Sequence, residues 1–237
     1  MARPDILDAL AVERHTLAGP HLLDPCPHSF GDVRLAPPEG LVARGGDFRP
    51  ATIIQAYRSG VFPWPQRGKE LLWFSPDPRA TIPLDGLHVS RRLERTLRQG
   101  AFRLTVDAAF DAVINECARG RPEGTWITRR LRDAYQELHR LGYAHSFEAW
   151  AADGELAGGL YGIAIGAMFG AESMFHRVTD ASKAAMVGMV SHGRRIGIEL
   201  LDIQVLSAHT ASMGAVEISR DEYLDRLTVA LSHGVAW

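Results

Sequence analysis

An apolar run near the C-terminal end constrains the fold more than any other stretch of the chain. Residues 199–206 (ELLDIQVL) have the composition of a buried strand, yet they include Asp202 and Gln204. Side chains alternate between the two faces of a strand, so both polar side chains should project from one face. Burying such a group without a partner costs roughly 1–3 kcal/mol. The pair therefore needs either a chemical role or structural partners, with Asp202 capping a turn and Gln204 satisfying backbone groups at the strand end.

The composition is that of an ordinary soluble globular protein, with 46% hydrophobic and 23% charged residues among 237. This length predicts one large domain, or a main domain with a smaller companion. No stretch approaches the ~20 apolar residues of a membrane span, and the charged N-terminus is unlike a signal peptide. We therefore expect a cytoplasmic protein with no membrane partner, and a monomer. Cys26 and Cys117 lack metal-ligand spacing and a disulfide-rich context, which predicts two free thiols.

Arginine is concentrated in two segments, although the formal net charge is −2. Residues 88–103 and 119–132 each contain five arginines and one glutamate. A net acidic chain gives no support for nucleic-acid binding, but such clusters allow a basic face. The alternative is a solvated helix surface with local ion pairs.

The chain divides into three parts by composition. Residues 1–29 contain four prolines and little periodicity, and we interpret them as an extension that is partly disordered. Residues 30–78 are predicted to form a small N-terminal domain with a helix within 47–60. Residues 79–237 are predicted to form the main domain.

In the main domain the pattern changes from helices to a sheet. Ser90 and Asp107 are predicted to cap helices, and residues 128–141 have helical periodicity. Residues 145–150 and 159–169 are predicted to pair as a hairpin. A helix over 180–195 then precedes the strand with Asp202. The order hairpin, helix, strand predicts the α+β class.

Aromatic residues between 60 and 79 lie on chain that cannot be helical, because prolines 63, 65, 76 and 78 interrupt it. Such side chains can stack on nucleic-acid bases, which contributes about 1–3 kcal/mol per base. The alternative is that they fill the interface between the two domains. The residues concerned are Phe62, Trp64, Trp73 and Phe74.

Ten short motifs resemble those of the leucyl/phenylalanyl-tRNA–protein transferase family, in the same order and with similar separations from about residue 30 to the end. They are FPWP (62–65), WFSPDPRA (73–80), HVSR (88–91), GTWIT (124–128), AHSFE (144–148), GGLYG (158–162), ESMF (172–175), ASK (181–183), DIQ (202–204) and HTASMGA (209–215).

The resemblance implies an enzyme that forms a peptide bond without the ribosome. Members of that family transfer leucine or phenylalanine, and also methionine, from aminoacyl-tRNA to proteins that begin with arginine or lysine, which marks those proteins for degradation. The implied fold is a GNAT-like acyltransferase domain behind a small N-terminal domain. The implied cofactor requirement is none, with no metal and no coenzyme A. A CoA-dependent GNAT acetyltransferase and a non-catalytic tRNA-binding module are the alternatives.

The residues of the DIQ motif fit this chemistry. An aminoacyl ester is already activated, so the enzyme must deliver a neutral amine and stabilise the oxyanion. An α-amino group has a pKa of about 7.7–8, so a nearby carboxylate can take its proton. The amide oxygen of Gln204 can accept a hydrogen bond from the amine but cannot act as a base. We therefore place Gln204 at the amine and Asp202 behind it as a charge and proton relay.

The remaining site residues follow from the motif match. Glu172 is predicted to bind the acceptor amine or its basic side chain, unless it pairs with Lys183 or with an arginine of the next helix. The acyl pocket is predicted from Phe169, Met174, Met186 and Met189, which core packing would explain equally well. Trp64 and Trp126 are placed at the 3′ adenosine of the tRNA. Arg91, Arg95 and Arg98 are placed at the acceptor-stem phosphates.

Three positions depart from the family pattern. Met189 replaces a common aromatic residue and Ala171 a common glycine, and both changes could reshape the acyl pocket. Glu94 replaces a basic residue and weakens the basic stripe. We therefore expect the preference among acyl groups to depart from that of the family more readily than the type of reaction does.

Overall fold

A computed structural model describes residues 5–15, 17–64, 70–119 and 125–237. Its α-helices are α1 (Ile6–Ala9), α2 (Pro50–Arg58), α3 (Arg91–Arg98), α4 (Phe110–Ala118), α5 (Arg129–Arg140), α6 (Ala181–Ile196), α7 (Ala208–Ala211) and α8 (Arg220–Ser232). Its strands are β1 (Glu13–Arg14), β2 (Leu41–Arg44), β3 (Phe62–Pro63), β4 (Leu72–Phe74), β5 (Arg79–Thr81), β6 (Arg103–Val106), β7 (Ala144–Trp150), β8 (Leu156–Ile165), β9 (Met168–His176), β10 (Leu200–Gln204) and β11 (Val216–Ile218).

The main sheet is mixed and has the strand order β1-β6-β7-β8-β9-β10-β5-β11. Most neighbours are antiparallel, but β9 and β10 run parallel because α6 connects them across one face. Their pairing ends at Gly170 and Asp202, although β9 continues to His176. The two strands therefore separate beyond this point, and the candidate site lies there.

Side-chain caps explain where several helices begin. Ser90 accepts a hydrogen bond from the N–H of Leu93 at the start of α3, as predicted, and Thr128 caps α5 in the same way. The prediction that Asp107 caps α4 is wrong. That helix begins three residues later, and Asp107 adopts a φ of 60° while its carboxylate accepts from the N–H of Ser146.

The predicted single strand over 159–169 is also wrong. The chain turns at Gly166, which has a φ of 57°, and returns as β9. A Cβ atom at Gly166 would lie 2.7 Å from the carbonyl oxygen of Ala230, so glycine is required there for space as well as for conformation. The hairpin of β7 and β8 is followed directly by a second hairpin of β8 and β9.

Helices cover both faces of the main sheet and divide the apolar interior into two clusters. One cluster joins α2, α4, α5 and α8 to one face of the sheet, and the other joins α3 and α6 to the opposite face. Phe62 and Trp73 are buried in the first cluster, next to residues of the main sheet. These two aromatic residues therefore pack in the core, and their role between two domains stays a prediction.

The small sheet, in the order β2-β4-β3, belongs to the N-terminal part of the chain. Residues 5–15 pack against the main sheet, while the partial disorder expected within residues 1–29 stays a prediction. Ile6 and Leu7 are buried, β1 adds a parallel strand beside β6, and Ser191 of α6 donates to the carbonyl of Leu7 at 2.6 Å. Apolar residues and an unpaired strand edge explain this packing. The boundaries at residues 30 and 79 stay a prediction.

The predicted α+β class is confirmed by this mixed sheet and its two helical layers. The parallel pair β9 and β10 separates beyond Gly170 and Asp202, around the candidate site. In the part of the chain that the structure describes, every helix is too short or too polar to cross a bilayer.

Candidate active site

Gln204 occupies an irregular position at the end of β10. Its φ is 61°, and the pairing with β5 shifts between Asp202 and Gln204, so this strand contains a bulge. The regular alternation predicted for the two side chains is therefore wrong at this point. A non-glycine residue in this region of φ costs of order 1–3 kcal/mol, which the surrounding contacts must offset.

Asp202 holds the backbone of this bulge and not the side chain of Gln204. Its Oδ1 accepts a hydrogen bond of 2.9 Å from the N–H of Gln204. The guanidinium of Arg79 forms a two-point ion pair with the carboxylate, at 2.9 and 2.6 Å, and Tyr223 donates at 3.0 Å. Both Asp202 and Arg79 are 0% exposed. The carboxylate is saturated with donors and does not line either cavity at the site.

Arg79 is itself fully enclosed by the protein. It donates to the carbonyl of Gly60 at 3.1 Å and lies over the rings of Phe62 and Tyr223 at 4.8 and 4.3 Å. Burial lowers the pKa of Arg79, but the adjacent Asp202 outweighs this and the net shift is upward. Arg79 therefore stays charged, and its ion pair with Asp202 supports the backbone of Gln204.

Glu172 lies on the other side of Gln204 and has neutral partners. Its Oε1 accepts from the Tyr57 hydroxyl at 2.6 Å and from Nε2 of Gln204 at 3.1 Å, and its Oε2 accepts from the Tyr135 hydroxyl at 3.2 Å. Burial raises the pKa of Glu172 to about 7. Lys183 donates to Ser212 instead, so the alternative ion pair between Lys183 and Glu172 is wrong.

Two cavities meet at Gln204 and Glu172. The smaller has a volume of about 120 Å³ and extends towards Phe62 and Pro63. The larger has a volume of about 520 Å³ and extends towards α6 and α7. Both are lined by Trp64, Trp126, Glu172, Ile203, Gln204 and Val205.

The two tryptophans predicted to contact the terminal adenosine both line these cavities. The Trp64 side chain is 37% exposed and contacts Phe74 edge to face, with ring centroids 5.9 Å apart. Pro65 and Gly124, which complete the FPWP and GTWIT motifs, lie outside the described residues. The structure therefore brings Trp64 and Trp126 together with Glu172 and Gln204.

Only one of the four residues predicted for the acyl pocket lines the larger cavity. Met174 does so, while Phe169, Met186 and Met189 are fully buried in the cluster against which Met174 packs. The core-packing alternative therefore describes these three side chains in this structure.

The three arginines predicted to meet the acceptor stem are exposed on α3. Arg98 pairs with Glu94 at 2.9 Å, one turn away on the same helix. Arg92, at the start of α3, pairs with Asp180 at the start of α6. The basic end of α3 thus lies beside the end of α6 that borders the larger cavity.

Four side chains that form the site were not predicted as site residues. Tyr57 and Tyr135 have the helical spacing of core residues, and the Arg79 and Tyr223 positions give no periodic signal. A buried tyrosine hydroxyl requires a hydrogen-bond partner, and a buried arginine requires a counter-charge. Their partners are far away along the chain, with 123 positions between Arg79 and Asp202.

The site contains the amide of Gln204 and the carboxyl group of Glu172, whose pKa is about 7, in a cavity lined by tryptophans. Among the described residues, no cluster of three or more His, Cys, Asp or Glu side chains could hold a metal ion. With the separated parallel strands, this arrangement defines a protein of the acyltransferase type, in which polar groups orient a nucleophile towards a bound acyl donor.

Comparisons with known proteins agree with this class. The family profile for "Leucyl/phenylalanyl-tRNA protein transferase" matches residues 81–228, and that for its N-terminal domain matches residues 46–77. Curated transferases of that name include one from Anaeromyxobacter sp. (strain K), 52% identical over 206 residues, covering 86% of this chain and 88% of that protein. Another, from Edwardsiella ictaluri, is 48% identical over 213 residues and covers 88% of both chains.

The chain belongs to the leucyl/phenylalanyl-tRNA–protein transferase family. This confirms the resemblance stated from its motifs, and with it the assignment as an aminoacyltransferase that uses tRNA.

Proposed function

We propose that this protein transfers leucine, and also phenylalanine or methionine, from aminoacyl-tRNA to the α-amino group of proteins that begin with arginine or lysine. Acceptors modified in this way would be directed to N-degron proteolysis in the cytoplasm, with the enzyme acting as a monomer. The observation that carries the proposal is the junction of two cavities at Gln204 and Glu172, because a donor ester and an acceptor amine must meet at one point.

The amide of Gln204 is oriented by its contact with Glu172. Because Nε2 donates to the carboxyl group, the amide oxygen is left to accept an N–H from the incoming amine. This directs the nitrogen lone pair at the ester carbonyl. Asp202 contributes by holding the Gln204 backbone, so we assign it a positioning role in place of the proton relay expected from the sequence.

Glu172 is the proton acceptor that the geometry favours. It lines both cavities, and its pKa of about 7 lies close to that of an α-ammonium group, about 7.7–8. The ionised carboxylate takes one proton from the ammonium group. The neutral amine then attacks the ester carbonyl, the bond to the 3′ oxygen of adenosine breaks, and the second amine proton ends on that oxygen.

Trp64 and Trp126 are proposed to hold the terminal adenosine, and Arg91, Arg95 and Arg98 the acceptor-stem phosphates. The exposed indole of Trp64 supports the first role, and the exposure of the three arginines on α3 supports the second. Met174 is proposed to contact the acyl side chain directly. Phe169, Met186 and Met189 would then set the depth of the pocket from behind it.

A labelling assay tests the proposed function. Purified protein is incubated with [¹⁴C]Leu-tRNA and peptides that begin with arginine, lysine or aspartate. We expect label on the first two peptides only. Unlabelled arginine and lysine peptides would contradict the proposal, and stabilisation by acetyl-CoA would instead support a coenzyme A dependent acetyltransferase.

A further inference from the structure

The outer end of the larger cavity has a different chemical character from the end at Gln204. There the wall is formed by the first turn of α6, the end of β9 and the short helix α7. The wall there has polar side chains where the end at Gln204 has tryptophans. These polar residues are His176, Ser182, Ser207, His209 and Thr210. We call this end of the cavity the α6 subsite.

The N-terminus of α6 is not capped by a side chain. Asp180 adopts a φ of 71° and its carboxylate pairs with Arg92 at 3.1 Å instead of bonding the helix. Within the described part of the chain, the N–H groups of Ser182 and Lys183 have no acceptor. A 16-residue helix concentrates partial positive charge on such groups, which favours an anion.

Ser182 supplies a second, independent sign of a ligand. Ser182 is only 3% exposed and lines the cavity, and its hydroxyl makes no hydrogen bond to any described residue. Its oxygen is accessible from the cavity, in contrast to the enclosed polar atoms elsewhere in the described chain that have no partner. The unpaired hydroxyl beside unpaired helix N–H groups indicates that donors are kept available for an acceptor from outside the chain.

His209 also lines the α6 subsite. Its Nε2 atom is buried and has no partner among the described residues, although the residue borders the cavity. Burial, and then the charges of Lys183 and His176, lower the pKa of His209, so its ring is neutral and can donate one N–H. Ser212 links Lys183 to His209. Its hydroxyl accepts a hydrogen bond from Nζ of Lys183 at 3.2 Å and donates one to the carbonyl oxygen of His209 at 2.7 Å.

We infer that the α6 subsite binds a phosphodiester of the RNA acceptor end, the one next to the terminal adenosine. The inference rests on the proposed function, because the same cavity continues to Trp64, Trp126 and Gln204. An adenosine held at the tryptophans, with its ester at Gln204, directs its 5′ phosphate away from Gln204. Helix N–H groups, the Ser182 hydroxyl and the His209 imidazole supply the donors that a phosphate requires.

Truncated donors test this assignment. The leucyl ester of adenosine has no phosphate, whereas the leucyl ester of cytidylyl-(3′→5′)-adenosine has one phosphodiester. We expect the wild-type protein to use the dinucleotide ester with a kcat/KM roughly tenfold higher, since a hydrogen bond to a charged group contributes about one order of magnitude. Ser182→Ala and His209→Ala should each remove most of that preference and leave transfer from the adenosine ester within about twofold.

The ratio of the two donors corrects for a variant that folds poorly, because fewer active molecules lower both rates equally. His233→Ala serves as a matched control, since His233 pairs with Glu199 away from the cavity, and should keep the wild-type ratio. If Ser182→Ala and His209→Ala keep the wild-type ratio of kcat/KM between the two donors, the assignment is overturned.

Calorimetry separates this inference from the proposed function. The wild-type protein should bind the unacylated dinucleotide more tightly than adenosine. Ser182→Ala should bind the dinucleotide and adenosine with equal affinity. Both results are expected whether or not transfer occurs. Absence of transfer from either ester would contradict the proposed function alone. Inorganic phosphate that binds as tightly as the dinucleotide would assign the subsite to a free phosphate and overturn the inference about RNA.

Discussion

Asp202 and Glu172 are both carboxylates that contact Gln204, but Asp202 is fully buried whereas Glu172 is half-buried and lines both cavities. Asp202 has an arginine as its main partner and bonds the backbone of Gln204. Glu172 is bonded by two tyrosine hydroxyls and by the side chain of Gln204. An arginine holds a carboxylate in its charged form, whereas neutral donors do not fully offset the cost of burial.

This difference assigns a positioning role to Asp202 and proton transfer to Glu172. The Asp202 carboxylate is saturated with donors and does not line either cavity, so it can position Gln204 but has no contact with a substrate. A carboxyl group with a pKa of about 7 can exchange its proton at neutral pH. We therefore expect substitutions around Asp202 to affect mainly stability, and substitutions around Glu172 to affect mainly activity.

The largest effect is expected from Arg79→Met, which leaves Asp202 buried without its counter-charge. Breaking a buried ion pair from one side costs about 3–5 kcal/mol. Urea unfolding should show this loss in the free energy of unfolding. The double variant Arg79→Met/Asp202→Leu should recover most of it, and a double variant as unstable as the single one would contradict the supporting role of the pair.

Glu172→Gln should abolish most of the transfer activity while the protein stays folded. Loss of a positioned base lowers kcat by about 10²–10⁴, measured by transfer of labelled leucine to an arginine peptide. Glu148→Gln is the matched control, because Glu148 is likewise bonded by two hydroxyl groups, those of Thr105 and Ser146, but lies outside the site. Equal loss of kcat in both variants would remove the distinction between the two carboxylates.

The pH dependence of stability should reveal the same carboxyl group. The folded-state pKa of Glu172, about 7, lies above its ordinary value of 4.5, so between these pH values the folded protein retains a proton that the unfolded chain releases. Stability from this group therefore falls as the pH rises from 4.5 to 7, by about 3 kcal/mol. Glu172→Gln should lack this slope when unfolding is followed at several pH values, and an identical slope would contradict the raised pKa.

Tyr135→Phe should have the smallest effect. Its hydroxyl stabilises the ionised form of Glu172, so its removal raises the pKa of that group further. The acidic limb of the kcat profile should move to higher pH by about one unit. Tyr143→Phe, whose hydroxyl bonds the carbonyl of His21 at the surface, should leave the profile in place. A shift to lower pH in Tyr135→Phe would contradict the arrangement.

Local sequence signals predicted much of the fold. The periodicity of residues 128–141 corresponds to α5, and the segment 180–195 corresponds to α6. Such signals depend on residues within a few positions of one another. The second hairpin was missed because its tight turn at Gly166 lies within a continuous apolar run.

The candidate site was predicted in part, through Gln204, Asp202, Glu172, Trp64 and Trp126. What could not be predicted is how these residues are connected. The bulge at Gln204 turns its side chain towards Glu172, and this depends on the register with β5, more than a hundred positions earlier. Tyr57 and Tyr135 reach the carboxyl group from two helices that follow ordinary core spacing.

The sequence by itself determined the family, the mixed class of the sheet and the residue types available for acyl transfer, because each depends on composition, short motifs or local periodicity. Only the tertiary structure decided which carboxylate supports and which can take a proton. That choice depends on which side chains from distant segments surround each group, Arg79 and Tyr223 at Asp202 and the two tyrosines of α2 and α5 at Glu172, where burial raises the pKa.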